Sequence, residues 1–262
     1  MEILIPVLTL GILGLLFGIG LAVASKKFVV QTNPRLEKIV GLLPGSNCGA
    51  CGGAGCFGFA EMILSGKTKI DACRVSSDAA KEEIAKVLGR KLIKEVKKIV
   101  ALHCNGGIKV KDRFLYQGIE DCVAANLVFG GQKECVFGCL GFGTCAEICP
   151  FGAIKMSDEG LPIVDATKCK ACNKCVGVCP KKLFTLVPST HNVYIACSSH
   201  DLGKDTKVVC PVGCIACRKC EQICPVKAIA VIDNLAIIDY NKCNSCGECV
   251  KVCPMKTIRI KE

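Results

Sequence analysis

Two stretches near the C-terminal end constrain this chain more than anything else in it: Cys214-Ile215-Ala216-Cys217-Arg218-Lys219-Cys220-Glu221-Gln222-Ile223-Cys224-Pro225 and Cys243-Asn244-Ser245-Cys246-Gly247-Glu248-Cys249-Val250-Lys251-Val252-Cys253-Pro254. Both read C-x2-C-x2-C-x3-C-P. In that pattern three closely spaced thiolates each hold one corner of a [4Fe–4S] cube, and the fourth cysteine ligates the cluster of the other run. Crossed ligation makes Cys214, Cys217, Cys220 and Cys253 one set, and Cys243, Cys246, Cys249 and Cys224 the second. Zinc is the competing reading of cysteine pairs, but a tetrahedral zinc site has no use for a third cysteine at x2 followed by x3-C-P.

The chain carries 24 cysteines in 262 residues, no tryptophan and few aromatics, so its small domains are held by metal more than by core. A secreted disulfide scaffold would not repeat this spacing, which makes the cysteines reduced ligands in the cytoplasm. The formal net charge of +11 counts every cysteine as neutral. Each cube with its four thiolates carries about −2, so five bring the holoprotein close to neutrality and nucleic acid is not implied.

Residues 3–24 are an uninterrupted run of apolar and small residues, long enough to cross a bilayer as a helix, and Lys26-Lys27 follow at once. A single-pass anchor over residues 1–27 is expected, with the lysine pair and all that follows on the cytoplasmic side of the cell membrane. A cleavable signal peptide, for which Ala22-Val23-Ala24 offers a cleavage site, is disfavoured by the length of the run and by Glu2 in place of a basic start. Gly14-x3-Gly18, with Gly11, offers a small-residue face for another membrane helix, or reflects only the glycine content usual in such helices.

A short helix from Pro34 to Val40 is expected before Cys48-Gly49-Ala50-Cys51-Gly52-Gly53-Ala54-Gly55-Cys56. Its glycines let the backbone wrap a bulky inorganic body, and Cys73 follows after a helix over 57–64, so Cys48, Cys51, Cys56 and Cys73 close one more cluster in a domain of residues 28–77. No Gly-Lys-Ser/Thr follows, so the loop is not a phosphate cradle. A helical connector fills 78–98, with one helix over 78–88 capped by Ser76 or Ser77 and a second over 91–97.

Two repeats occupy the rest. A strand at 99–103 leads into Cys104 as a strand at 193–196 leads into Cys197, giving units of 99–190 and 191–262. The first contains Cys169-x2-Cys172-x2-Cys175-x3-Cys179-Pro180, which is regular, and Cys135-x3-Cys139-x5-Cys145-x3-Cys149-Pro150, where Phe142 stands at the middle cysteine's place. Cys135 is the nearest candidate for the missing corner and Cys122 the other. The expected sets are Cys135, Cys139, Cys145 and Cys179, and Cys169, Cys172, Cys175 and Cys149. Hairpins follow the C-P steps at 153–165 and 228–239. The fold class is therefore α+β: an N-terminal transmembrane helix, a small glycine-rich 4Fe-4S domain and two ferredoxin-like 2[4Fe-4S] units.

These sets give five clusters and leave Cys104, Cys122, Cys197 and Cys210, enough for a sixth or, as is expected here, small buried hydrophobes repeated with the fold. Nothing else in the chain reads as catalytic, and His103, His191 and His200 stand alone. The chemistry the residues point to is one-electron transfer.

The apolar N-terminal helix, the glycine-rich Cys48 to Cys73 domain and the ferredoxin-type repeats closing on Cys253-Pro254 together resemble the B subunit family of the Rnf complex, the ion-translocating ferredoxin:NAD oxidoreductase. The resemblance covers essentially the whole chain. It implies a translocase subunit with no substrate-converting site of its own, which takes electrons from reduced soluble ferredoxin at the cytoplasmic face. Partner subunits of the membrane complex would carry flavin, nicotinamide and the ion path. Competing readings are a tethered polyferredoxin serving another membrane hydrogenase or dehydrogenase, a corrinoid-linked iron–sulfur protein, and a metal-storage scaffold. This chain departs from shorter family members in having two ferredoxin-type units and in its irregular Cys135 to Cys149 run.

Overall fold

The structure, a computed structural model, describes residues 4–28, 33–92 and 96–261. Helix α1 (Leu4–Lys27) ends on Lys26 and Lys27 and has no acidic residue in its first turn. Its 24 residues extend about 36 Å, enough to cross a hydrocarbon core of about 30 Å. Its large apolar side chains are all more than half exposed, from Leu8 at 55% to Leu10 at 74%, so among the described residues no face of it is buried against the rest of the chain.

Helix α2 (Pro34–Leu42) starts where the Asn33 side chain accepts from the Arg35 N–H (3.0 Å) and Pro34 takes the first-turn position. Helices α3 (Gly55–Leu64) and α4 (Asp78–Leu88) complete a small core of Leu36, Ile39, Phe59, Ala60, Ile63 and Ile84. Ser77 caps α4, and Gly89, at φ +63°, ends it. The helix expected over 91–97 does not form at residues 91, 92, 96 or 97, and residues 93–95 lie outside the described residues. The end of that segment is drawn into a sheet instead: Ser189 N–H bonds to Lys97 O (2.8 Å), and long-range pairing overrides a helical preference worth a fraction of a kcal/mol per residue, roughly 0.7 at most.

Each following unit is closed by its own first and last strands. In the first, β1 (Lys98–Leu102) lies antiparallel to β4 (Phe184–Pro188), in register from Lys98 opposite Pro188 to Leu102 opposite Phe184, and β2 (Ile154–Met156) pairs with β3 (Pro162–Val164). In the second, β5 (Val193–Ile195) pairs with β8 (Ile258–Ile260), and β6 (Ile229–Ile232) with β7 (Leu235–Ile238). Asp233 and Asn234, both at positive φ, make the tight turn of the last hairpin. Between the strands lie short helices: α5 (Cys122–Leu127), α6 (Thr144–Glu147) and α7 (Lys174–Val178) in the first unit, α8 (Gly203–Val209), α9 (Lys219–Ile223) and α10 (Glu248–Val252) in the second. Cysteines form much of both cores, as expected of domains with little else to bury.

The units dock through polar contacts at the ends of β1 and β5. The His103 ring bonds to Ile195 O (2.6 Å) and to Thr185 Oγ1 (2.6 Å), and Ser198 Oγ donates to His103 O (3.0 Å). The three histidines therefore have structural partners: His191 bonds to Cys243 O and His200 to Asp233 O.

Candidate metal centres

The four cysteine runs of the two units share one backbone device. In each, the residues on either side of the second cysteine, or of its equivalent Phe142, take the left-handed region: Ala171 and Asn173, Ala216 and Arg218, Ser245 and Gly247, and, in the irregular run, Gly141 and Gly143. Left-handed residues turn successive N–H groups toward a common centre, an arrangement that suits a negatively charged cluster. The short helices α6, α7, α9 and α10 carry the third cysteine of each run, and the fourth follows at the helix end. That fourth sulfur accepts a backbone N–H four residues on: Ala153 to Cys149 (3.4 Å), Leu183 to Cys179 (3.5 Å) and Ala228 to Cys224 (3.2 Å).

Thiols are grouped across the runs, not within them. Cys214, Cys217, Cys220 and Cys253 line one cavity, and Cys224, Cys243, Cys246 and Cys249 another. In the first unit Cys172 feels Cys149 and Cys169 electrostatically, and Cys175 feels Cys169 and Cys172. In the glycine-rich domain Cys73 feels Cys51 and Cys48, while Cys56 packs against the same core. There the Asn47 side chain accepts from the Cys56 N–H (2.8 Å), and Gly55 at φ +78° turns the loop into α3.

A cavity of the first unit gathers a different set of thiols from the one expected. It is lined by Cys122, Cys139, Cys145 and Cys179, so the thiol beside the irregular run is Cys122 and not Cys135. Cys122 is brought in by α5, which Asp121 caps by accepting from Val123 and Ala124 N–H. Thr144, at the start of α6, accepts the Cys122 N–H (2.8 Å) and donates to Asp121 Oδ2 (2.7 Å), which ties the two helix starts together. Cys135 lies with Cys104, Cys197 and Cys210 in a different cavity, which Cys139 also lines, so these thiols are gathered and not scattered. The signal in the sequence was the second unit's Cys210-x3-Cys214, which matches Cys135-x3-Cys139 and makes Cys135 the counterpart of Cys210.

Burial, and then neighbouring sulfurs, push these thiols up: Cys175 and Cys220 to about 12, Cys145 and Cys249 to about 11. Among the described residues no three His, Cys, Asp or Glu side chains gather as a single metal ion requires. Four thiols around a shared cavity, with inward N–H groups, fit a larger body whose ligands stand apart, as in a [4Fe–4S] cube.

A family model described as a putative Fe-S cluster matches residues 43–75, and one described as a 4Fe-4S dicluster domain matches residues 213–258. Among curated proteins, the chain is 46% identical over 243 residues to the B subunit of the Na(+)-translocating ferredoxin:NAD(+) oxidoreductase complex of Acetobacterium woodii, covering 92% of this chain and 73% of that one. It is 40% identical to the B subunit of the ion-translocating oxidoreductase complex of Methanosarcina acetivorans, covering 88% of each. It is 39% identical to the B subunit of the proton-translocating ferredoxin:NAD(+) oxidoreductase complex of Clostridium ljungdahlii, covering 92% of this chain and 86% of that one.

Proposed function

Because the chain belongs to the B subunit family of ion-translocating (Rnf) oxidoreductase complexes, with iron–sulfur domains that make it an electron-transfer subunit, we propose that it takes electrons from reduced ferredoxin on the cytoplasmic side and hands them to its partner subunits. Bound [4Fe–4S] clusters would supply reversible one-electron chemistry. The chain's own part is to hold them in a row, bury them and set their potentials through N–H to sulfur hydrogen bonds.

The observation that carries this reading is that the thiol sets adjoin one another, three in one group and two in another. The proposed ligand sets are Cys48, Cys51, Cys56 and Cys73; Cys149, Cys169, Cys172 and Cys175; Cys122, Cys139, Cys145 and Cys179; Cys214, Cys217, Cys220 and Cys253; and Cys224, Cys243, Cys246 and Cys249. Cys172 feels Cys48, and Cys175 feels Cys145, so the first three sets adjoin. Helices α9 and α10 pack together and bring the last two side by side. Cys217 and Cys246 are the exposed thiols of the chain, which supports reading the second unit as the side that meets a soluble donor, with the glycine-rich set nearer the anchor in sequence. The anchor is read as α1, a single pass with Lys26 and Lys27 inside. The relatives' names differ in cation, sodium in one and protons in another, so neither is carried to this chain.

The test is anaerobic mixing of the full-length chain with chemically reduced ferredoxin, followed by visible bleaching. Fast bleaching that slows in Cys217→Ala and Cys246→Ala supports the reading. A chain that carries its iron and sulfide but takes no electrons from ferredoxin refutes the donor.

A further inference from the structure

The cavity between the two ferredoxin-like units is lined by Cys104, Cys135, Cys197 and Cys210, by Cys139 of the neighbouring set, and by His103, Gly106 and Gly138. We propose that these four cysteines hold a further [4Fe–4S] cluster, the sixth of the chain, with two ligands from each unit. The proposal rests on the iron–sulfur reading above and adds to it a site at the joint.

The repeat itself supplies the ligands. Cys104 follows β1 as Cys197 follows β5, and Cys135-x3-Cys139 has its counterpart in Cys210-x3-Cys214. Each unit forms the same internal hydrogen bond: Cys139 N–H donates to Cys104 Sγ (3.4 Å) and Cys214 N–H to Cys197 Sγ (3.3 Å). Equivalent cysteine pairs from two copies of one fold thus face each other across the joint. Gly106 lies between them, since a Cβ there would stand 3.6 Å from Cys210 Sγ and 3.8 Å from Cys104 Sγ.

All four sulfurs are aimed at by backbone donors. Besides the two bonds above, Ser199 N–H reaches Cys197 Sγ (3.4 Å), Phe137 N–H points to Cys135, and those of Val212 and Gly213 point to Cys210. A neutral thiol is a weak acceptor, whereas a thiolate is a strong one, so donors on every sulfur mark these as thiolates in the working protein. Four thiolates gathered round one cavity would repel one another. A cationic iron–sulfide core among them removes the conflict, while a core of apolar thiols would need none of the donors.

The placement also closes a gap. Cys139 and Cys214 belong to the flanking sets of the first and second unit, and their own peptide N–H groups touch the sulfurs of the joint. Without this site the first unit's thiols end at Cys139 and the second's begin at Cys214. With it the thiol sets run unbroken along the chain.

The test uses the full-length chain, purified and reconstituted without oxygen. Iron and acid-labile sulfide are expected at about 24 atoms each per chain, against about 20 for five clusters. Cys135→Ala and Cys197→Ala should each remove about four irons, and the double variant the same four, because both break one cube. Cys122→Ala with Cys135→Ala should remove about eight. Native alkylation read by mass spectrometry adds a measurement that needs no variant: Cys104, Cys135, Cys197 and Cys210 should be protected in the holoprotein and become reactive together after iron chelation. About 20 irons with these four thiols reactive in the unaltered chain overturns the proposal and leaves the five-cluster reading standing. So does zinc in the joint, or a Cys197→Ala variant that keeps all its iron. Absence of labile sulfide throughout would overturn both readings.

Discussion

Two glycines five residues apart in the cluster-binding loop and helix α3 should respond to alanine with opposite signs. A Cβ on Gly53 would stand 2.7 Å from Phe59 N, 2.9 Å from its Cα and 3.0 Å from its Cβ. None of these atoms can rotate away, and Phe59 is 1% exposed in the core that α3 builds with Ile39 and Ile63. The loop that carries Cys51 must then move off α3, which carries Cys56, an overpacking cost of about 1–3 kcal/mol. A Cβ on Gly58, inside α3, meets only Ala54 Cβ at 3.5 Å and Gly53 C at 3.9 Å, ordinary contacts. There alanine gains about 0.5–1 kcal/mol from helix propensity and reduced chain entropy. If iron leaves through local opening of the domain, Gly53→Ala should raise the open population roughly fivefold to hundredfold and Gly58→Ala lower it roughly two- to fivefold. The assay is anaerobic chelator challenge of the full chain, following the phase of about four irons that these variants alter. Equal rates for the two variants, or faster release from Gly58→Ala, would refute the steric argument.

Deleting residues 1–27 should release a brown, soluble protein that keeps its iron, and retention in the membrane fraction without partner subunits would show that α1 is not the anchor. Crossed ligation predicts that Cys224→Ala and Cys246→Ala damage one cluster and Cys217→Ala with Cys253→Ala the other; paramagnetic resonance spectra that pair Cys224 with Cys217 would exclude it. Asp121→Ala should speed loss of about four irons although Asp121 binds none, because its carboxylate holds the start of α5 and, through Thr144, the Cys122 peptide. Iron retention equal to the unaltered chain would mean that Cys122 needs no such support.

How much the sequence determined by itself follows from how far apart the cooperating residues lie. The C-x2-C-x2-C-x3-C-P runs, the Asp233-Asn234 hairpin, the Ser77 to Gly89 limits of α4 and the apolar run of α1 are all written within a dozen or two residues, where backbone geometry and hydrophobic period decide the outcome. The grouping of Cys253 with Cys214 and of Cys224 with Cys243 around separate cavities follows the order that the spacing implies. Tertiary structure alone decided which thiol lies beside the irregular run. Cys135 is nearer to Cys139 along the chain, but α5 and the Asp121–Thr144 contact deliver Cys122 to the corner, and no local rule encodes that contact. The same holds for Cys104, Cys135, Cys197 and Cys210, which face one cavity only because two copies of the fold dock through His103 and Ser198. A ligand's place along the chain sets which loop it rides on; which centre it meets is set by how those loops pack, through contacts between residues as far apart as His103 and Ile195.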